Sequence, residues 1–129
     1  MNIKKENYYK GLFLTAAFYD FILGILFLFF YKPFFNALSI SLPPNPSYLS
    51  LSAAFVFVIG IAYFIIYKDI RGNRGLVIVG TAFKIAYVAV GIFYLAIHLV
   101  PHMFFMLLAL CDAIFGILFM EFLNYTKKR

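Results

Sequence analysis

The chain has 129 residues, of which 65% are hydrophobic and only 12% carry a charge. A soluble domain typically has about 25% charged residues, so the composition predicts an integral membrane protein with a single domain. The formal net charge of +6 would suit nucleic acid as the partner of a soluble protein. Here the basic residues stand at the ends of apolar runs, which indicates a role in membrane orientation and no nucleic-acid partner.

Four apolar runs follow one another along the chain, each near the ~20 residues that a helix needs to cross a bilayer. They cover residues 11–31, 48–67, 76–97 and 103–123, each to within a few residues. Each run must be helical, because lipid cannot satisfy exposed backbone groups. The sequence therefore predicts an all-α, polytopic membrane protein, a four-helix antiparallel transmembrane bundle in contact with the lipid bilayer.

The connections between the runs differ in length and composition. Segment 32–47 is rich in proline, and its residues fit either a short interfacial helix before a proline-rich turn or a loop that rests on the membrane. Segments 68–75 and 98–102 are short, so each predicts a tight antiparallel hairpin.

Lysine and arginine are unevenly distributed between the two sides of the predicted bundle. Nine lie on the side of the termini, whereas the opposite connections hold only Lys32. The positive-inside rule then places both termini in the cytoplasm, as in a bacterial inner-membrane protein. Arg71 and Arg74, in the short second connection, are expected to contact lipid headgroups. The nine basic residues are Lys4, Lys5, Lys10, Lys68, Arg71, Arg74, Lys127, Lys128 and Arg129.

Three ionisable residues, Asp20, Lys84 and Asp112, lie inside the apolar runs. Such residues are costly in a membrane and normally face a protein interior or a water-filled cavity. At ~1.5 Å rise per residue, their depths from the same side are roughly 13, 12 and 16 Å. A shared depth on three helices predicts a buried charge layer, in which Lys84 pairs with Asp112 or Asp20.

The neighbours of these three residues include small side chains on the same helix faces, which favour close packing of membrane helices. Glu121 fits two roles, as an entry point to the layer or as a side chain that extends to the interface. Tyr63 is expected to be an interfacial anchor. The residues expected to support the layer are Gly24, Thr81, Tyr87, Gly116 and Glu121.

Two carboxylates and one ammonium leave one negative charge without a partner, which favours uptake of a proton or a cation. The leading prediction is a protein that binds or moves a proton, or a small solute that is hydrophobic or cationic, at this layer. A polar lock that only fixes helix register stays open as an alternative. So does a membrane enzyme acting on a lipid or quinone, with Asp112 or Asp20 as proton donor or acceptor.

The sequence contains no recognisable catalytic or cofactor motif. His98 and His102 have a spacing that can chelate a metal on a helix, but Pro101 lies between them and is expected to break the helix there. We therefore predict neither a metal site nor a cofactor.

One resemblance to known proteins rests on the second, third and fourth runs. Its residues are Gly60-Ile-Ala-Tyr63, Asp69-Ile-Arg-Gly-Asn73-Arg74, Gly80, Lys84 and Asp112. In these residues the chain resembles a group of small bacterial four-span proteins of unassigned function. In size and layout it is similar to the DoxX-like set. DoxX relatives are linked with redox or quinone-associated complexes, so the resemblance implies an accessory subunit docked on a larger membrane complex. A homodimer through Gly or Ala faces is the other expected assembly.

Overall fold

The structure is a computed structural model that describes residues 2–99 and 101–127. Within them the regular elements are α1 (Ile3–Phe29), α2 (Tyr31–Ala37), α3 (Ser47–Lys68), α4 (Arg74–Ala96) and α5 (Met103–Tyr125). All but the short α2 are long and apolar enough to cross a membrane. The predicted all-α fold with four membrane-spanning helices is therefore confirmed. The orientation of the termini stays a prediction, and Lys128 and Arg129, two of the basic residues behind it, lie outside the described residues.

Helix α1 begins at Ile3, well before the first apolar run starts. The side-chain oxygen of Asn2 accepts a hydrogen bond from the backbone N–H of Lys5 at 2.8 Å, and this satisfies one of the donors that a helix start leaves unpaired. The polar first turns are thus a continuation of the spanning helix, since a helix need not end where its apolar run ends.

Helix α2 occupies the first part of segment 32–47, and the residues from 40 to 44 have no regular structure. Phe35 of α2 is buried, with its ring centroid 6.1 Å from those of Phe27 on α1 and Phe105 on α5. The short helix therefore folds onto one end of the bundle, called here the α2 end. The opposite end, with the start of α1 and the α3–α4 turn, is called the terminal end.

Helices α1 and α3 approach each other closely at two glycines. A Cβ atom added at Gly24 would lie 2.9 Å from Cβ of Phe57 and 3.1 Å from the backbone of that residue. One added at Gly60 would lie 3.1 Å from the backbone nitrogen of Phe21 and 3.2 Å from the carbonyl oxygen of Ala17. Because small residues let backbones of membrane helices come together, α1 and α3 form one tightly packed pair.

Gly24→Ala is expected to destabilise the bundle by about 1–3 kcal/mol, because the added methyl group overlaps Phe57 and its backbone. The free energy of unfolding in mixed detergent micelles measures the change. Gly11→Ala is the matched control on the same helix, since a Cβ at Gly11 meets nothing within 4 Å. Equal unfolding free energies for the two variants would contradict the close packing of α1 against α3.

Helices α4 and α5 form a second pair, and aromatic rings separate it from the first. A Cβ at Gly91 would be 3.7 Å from that of Ala109, which is ordinary contact between α4 and α5. Between the pairs, the ring of Phe119 on α5 stacks on Phe13 of α1 at 4.9 Å and lies 5.2 Å from Tyr63 of α3. The bundle is therefore two close helix pairs joined through a thick layer of side chains.

The side chains between the two helix pairs form two apolar clusters, and polar residues lie between these clusters. The cluster at the α2 end is built around Phe27, Phe35 and Ala53. Asp20 on α1 and Asp112 on α5 come between the two clusters in the order of residues along their helices. The cluster at the terminal end comprises Tyr9, Phe13, Ala16, Ala17, Tyr63, Ile66, Ile70, Val77, Phe119 and Phe122.

Candidate functional site

The three predicted charges meet at one point between the helix pairs. The Lys84 ammonium donates to Oδ1 of Asp112 at 2.9 Å and to the two carboxylate oxygens of Asp20 at 3.2 and 3.3 Å. The predicted buried layer is therefore confirmed. Lys84 pairs with both acids, where the sequence had left the choice between them open.

The α4–α5 pair and α1 supply the layer from opposite sides. Lys84 is 0% exposed, Asp20 2% and Asp112 6%. Taking a charge out of water costs several kcal/mol per ion, and the attraction offsets this only where the geometry is good. Here one ammonium between two carboxylates provides that compensation, so the three residues stabilise the bundle only as a set.

Three aromatic rings lie close to the ammonium. The Lys84 nitrogen lies 4.9 Å from the ring centroid of Tyr19, 5.1 Å from that of Phe115 and 5.4 Å from that of Tyr63. The negative face of such a ring attracts a cation, most strongly where water is excluded. Neither Tyr19 nor Phe115 was identified from the sequence.

The prediction that Tyr63 is an interfacial anchor is wrong. Its side chain is 0% exposed, and its hydroxyl donates to the carbonyl oxygen of Gly80 at 2.9 Å. A Cβ at Gly80 would overlap the Tyr63 ring, so the absence of a side chain there makes room for the ring of this α3 residue against α4. One feature of the sequence could have indicated that Tyr63 is buried. It lies one helical turn after Gly60, on the face of α3 that packs against α1.

The two carboxylates differ in how completely they are paired. Both oxygens of Asp20 lie within hydrogen-bonding distance of Lys84, whereas Asp112 engages it through Oδ1 alone. Oδ2 of Asp112 receives no hydrogen bond from any side chain or backbone group among residues 2–99 and 101–127. One acid of the layer is thus fully paired and the other keeps an oxygen available.

A cleft between α4 and α5 borders that second acid. Its volume is about 270 Å³, and Lys84 and Asp112 are the charged residues among those that line it. Ile92 and Ile117, also on its walls, are 61% and 62% exposed, so the cleft opens on the lipid-facing surface. Small side chains leave the space for it. The remaining lining residues are Ile85, Val88, Ala89, Ala113, Gly116 and Met120.

The predicted supporting residues have different positions. Gly116 lines the cleft and faces Cβ of Lys84, whereas Gly24 lies where α1 meets α3. Thr81 is buried but donates to the carbonyl oxygen of Val77 in its own helix at 2.7 Å. Tyr87 is half-buried on α4, and Glu121 is exposed on α5 toward the terminal end. Of these five residues, the structure brings Gly116 directly against the layer.

Arg71 and Arg74 both have protein partners at the terminal end. Arg74 donates to the carbonyl oxygen of Leu123 and, at 3.3 Å, to the hydroxyl of Thr126, so it satisfies a carbonyl that the C-terminus of α5 leaves unpaired. Arg71 forms an ion pair with Glu6 at 3.3 Å. Contact of the two arginines with lipid headgroups stays a prediction.

The polar residues between α3 and α4 build the turn itself. The Asn73 side-chain nitrogen donates to the carbonyl oxygens of Asp69 at 2.8 Å and Ile65 at 3.2 Å. The Asp69 carboxylate accepts from the backbone N–H of Gly72 at 3.0 Å. These residues belong to the stretch on which the resemblance rests, and in this structure their contacts hold the turn.

His102 takes a structural role near the second hairpin. His102 precedes α5 and its Nδ1 accepts from the backbone N–H of Phe104 at 3.0 Å, as a helix cap does. In the described part of the chain, no three His, Cys, Asp or Glu side chains are grouped as a metal site would need.

Together, fold and site define a multi-pass helical membrane protein with a buried acid–lysine–acid layer. Comparison of the chain with protein families, curated proteins and solved structures finds no match. The DoxX-like resemblance therefore stays a prediction, and the function has to be argued from the geometry of the layer and its cleft.

Proposed function

We propose that this protein binds a proton or a cationic ligand at the Asp112 carboxylate and exchanges it during function. The observation that carries the proposal is the unpaired Oδ2 of Asp112 beside an open cleft. Asp20 and Lys84 set the charge and hold Asp112 in place.

The charge balance gives the reason for a third partner. Two carboxylates and one ammonium carry a net charge of one negative unit when all are ionised, and a net charge is costly where water is excluded. A proton or a cation at Oδ2 makes the layer neutral. A layer that served only to fix helix register would need no route to the outside, whereas here one acid lies against a cleft.

Infrared spectroscopy of the protein in lipid nanodiscs tests the proposal. We expect the C=O band of a protonated carboxylic acid to gain intensity as the pH is lowered, and this pH-dependent band to be absent from Asp112→Asn. Glu121→Gln is the matched control, since it removes an exposed acid from the same helix. A pH-dependent buried-acid band that persists in Asp112→Asn, or the lack of any such band in the unmodified protein, would contradict exchange at Asp112.

A further inference from the structure

We infer that the cleft between α4 and α5 admits a single-chain alkylammonium amphiphile directly from the bilayer, with its head at Oδ2 of Asp112. The inference rests on the proposed function and adds to it the class of ligand and the route of entry. Its starting point is a carboxylate that is more than nine-tenths buried, has an unpaired oxygen, and borders an apolar space.

The sign of the ligand charge follows from how Lys84 is used. Its ammonium is already shared between Asp20 and Oδ1 of Asp112 and lies close to aromatic rings. An anionic head would have to compete with two carboxylates for that one cation, and would add to the negative excess. A cationic head meets the unpaired oxygen and removes the excess. Charge complementarity therefore favours an ammonium over a carboxylate or phosphate.

The shape of the head follows from the size of the space and the single free acceptor. A volume of about 270 Å³ is slightly below the ~300 Å³ at which ligand pockets usually begin. A primary ammonium is compact and supplies the N–H donor that Oδ2 lacks. A head without N–H groups could neutralise the charge but would leave the acceptor unpaired, which is costly in a buried site.

The apolar chain of the ligand follows from the remaining walls of the cleft. Apart from Lys84 and Asp112, every lining residue is apolar. Ile92 and Ile117 lie largely exposed at its edge, so a chain longer than the cleft continues into the surrounding lipid. An amphiphile already in the membrane can therefore reach Asp112 without crossing the apolar cluster at either end of the bundle.

Binding of radiolabelled decylammonium to the protein in nanodiscs tests this inference. We expect saturable binding at least about tenfold tighter than that of ethylammonium, because the longer chain both concentrates the ligand in the bilayer and buries apolar surface in the cleft. Decanoate, with a chain of the same length and the opposite charge, should show no saturable binding. Saturable binding of decanoate as tight as that of decylammonium would overturn the argument from charge.

A pair of substitutions on α4 tests the route. Ala89→Phe fills the cleft, whereas Ala86→Phe adds the same side chain at an exposed position of the same helix that does not line it. We expect decylammonium affinity to fall about tenfold or more in Ala89→Phe and to be unchanged in Ala86→Phe. Ala113→Leu, on the opposite wall, should repeat the loss. Unchanged affinity in both cleft variants would overturn entry between α4 and α5.

The infrared and binding measurements together distinguish alkylammonium binding from proton or cation exchange at Asp112. If the Asp112 infrared band responds to pH but decylammonium does not bind saturably, the alkylammonium inference is wrong and exchange at Asp112 stands. If Asp112→Asn changes neither the band nor the binding, both are wrong.

Discussion

Lys84→Met is expected to destabilise the bundle by about 3–5 kcal/mol, because it removes the only cation of the layer and leaves two buried carboxylates uncompensated. Methionine has a similar length, so little packing is lost and the charge accounts for the change. Lys84 is 0% exposed and pairs with both acids, which makes this the largest effect we expect from a single substitution. The free energy of unfolding in mixed detergent micelles measures it.

Three further measurements make that result specific. Lys68→Met, which replaces an exposed lysine at the end of α3, should change the unfolding free energy by no more than about 0.5 kcal/mol. The combination of Lys84→Met with Asp20→Asn and Asp112→Asn should recover more than half of the loss, since no buried charge then remains. The deficit of Lys84→Met should also shrink as the pH falls, because protonation neutralises the two acids. If Lys84→Met were no more destabilising than Lys68→Met, the layer would not stabilise the fold.

The charge layer could be predicted from the sequence because it depends on few quantities. The rise of an α-helix fixes the depth of each residue, and the cost of a charge in lipid requires it to face inward. Asp20, Lys84 and Asp112 therefore had to meet if the runs that carry them form one bundle. No knowledge of packing angles was needed for that step.

The surroundings of the layer could not be predicted in the same way. In a soluble protein the polar face of a helix shows which side is buried, but a membrane helix is apolar all round and gives no such signal. Whether Tyr63 faces lipid or the core is therefore a matter of helix rotation. Its ring lies against Lys84 and is fully buried, although the run that carries it is equally compatible with an exposed tyrosine.

The same limit hides the difference between the two acids. Asp20 and Asp112 are each followed four residues later by a glycine within closely similar sequences. Gly24 packs against α3 with almost no space to spare, whereas Gly116 faces Lys84 at ordinary contact distance beside the cleft. Equal local patterns thus give one acid that is fully paired and one with an available oxygen, because the neighbouring helices differ.

That difference leads to a second large effect, on binding. Asp20→Asn is expected to weaken decylammonium binding by about one to two orders of magnitude, although Asp20 is not among the residues that line the cleft. Both acids contact the same nitrogen, at 2.9 to 3.3 Å, so their oxygens lie at most about 6 Å apart. A cation at Oδ2 of Asp112 lies somewhat farther from Asp20 than that. At about 6 to 10 Å, two unit charges interact by about 2 to 3 kcal/mol at an effective dielectric constant near 20, or about 15- to 100-fold in affinity. Without the charge of Asp20, Lys84 and Asp112 form a neutral pair and no cation is needed.

Two comparisons separate this charge effect from a structural one. Asp20→Glu keeps the negative charge and should retain most of the affinity. If the loss came from damage to packing, Asp20→Glu would lose at least as much affinity as Asp20→Asn, because its side chain is longer. The preference for decylammonium over decanol, a neutral amphiphile with the same chain, should fall toward parity in Asp20→Asn, because only the attraction of the cation is lost. If Asp20→Asn weakened both ligands equally, Asp20 would act by shaping the bundle. An unchanged preference would mean that the cation interacts with Asp112 alone and that the net charge of the layer does not select the ligand.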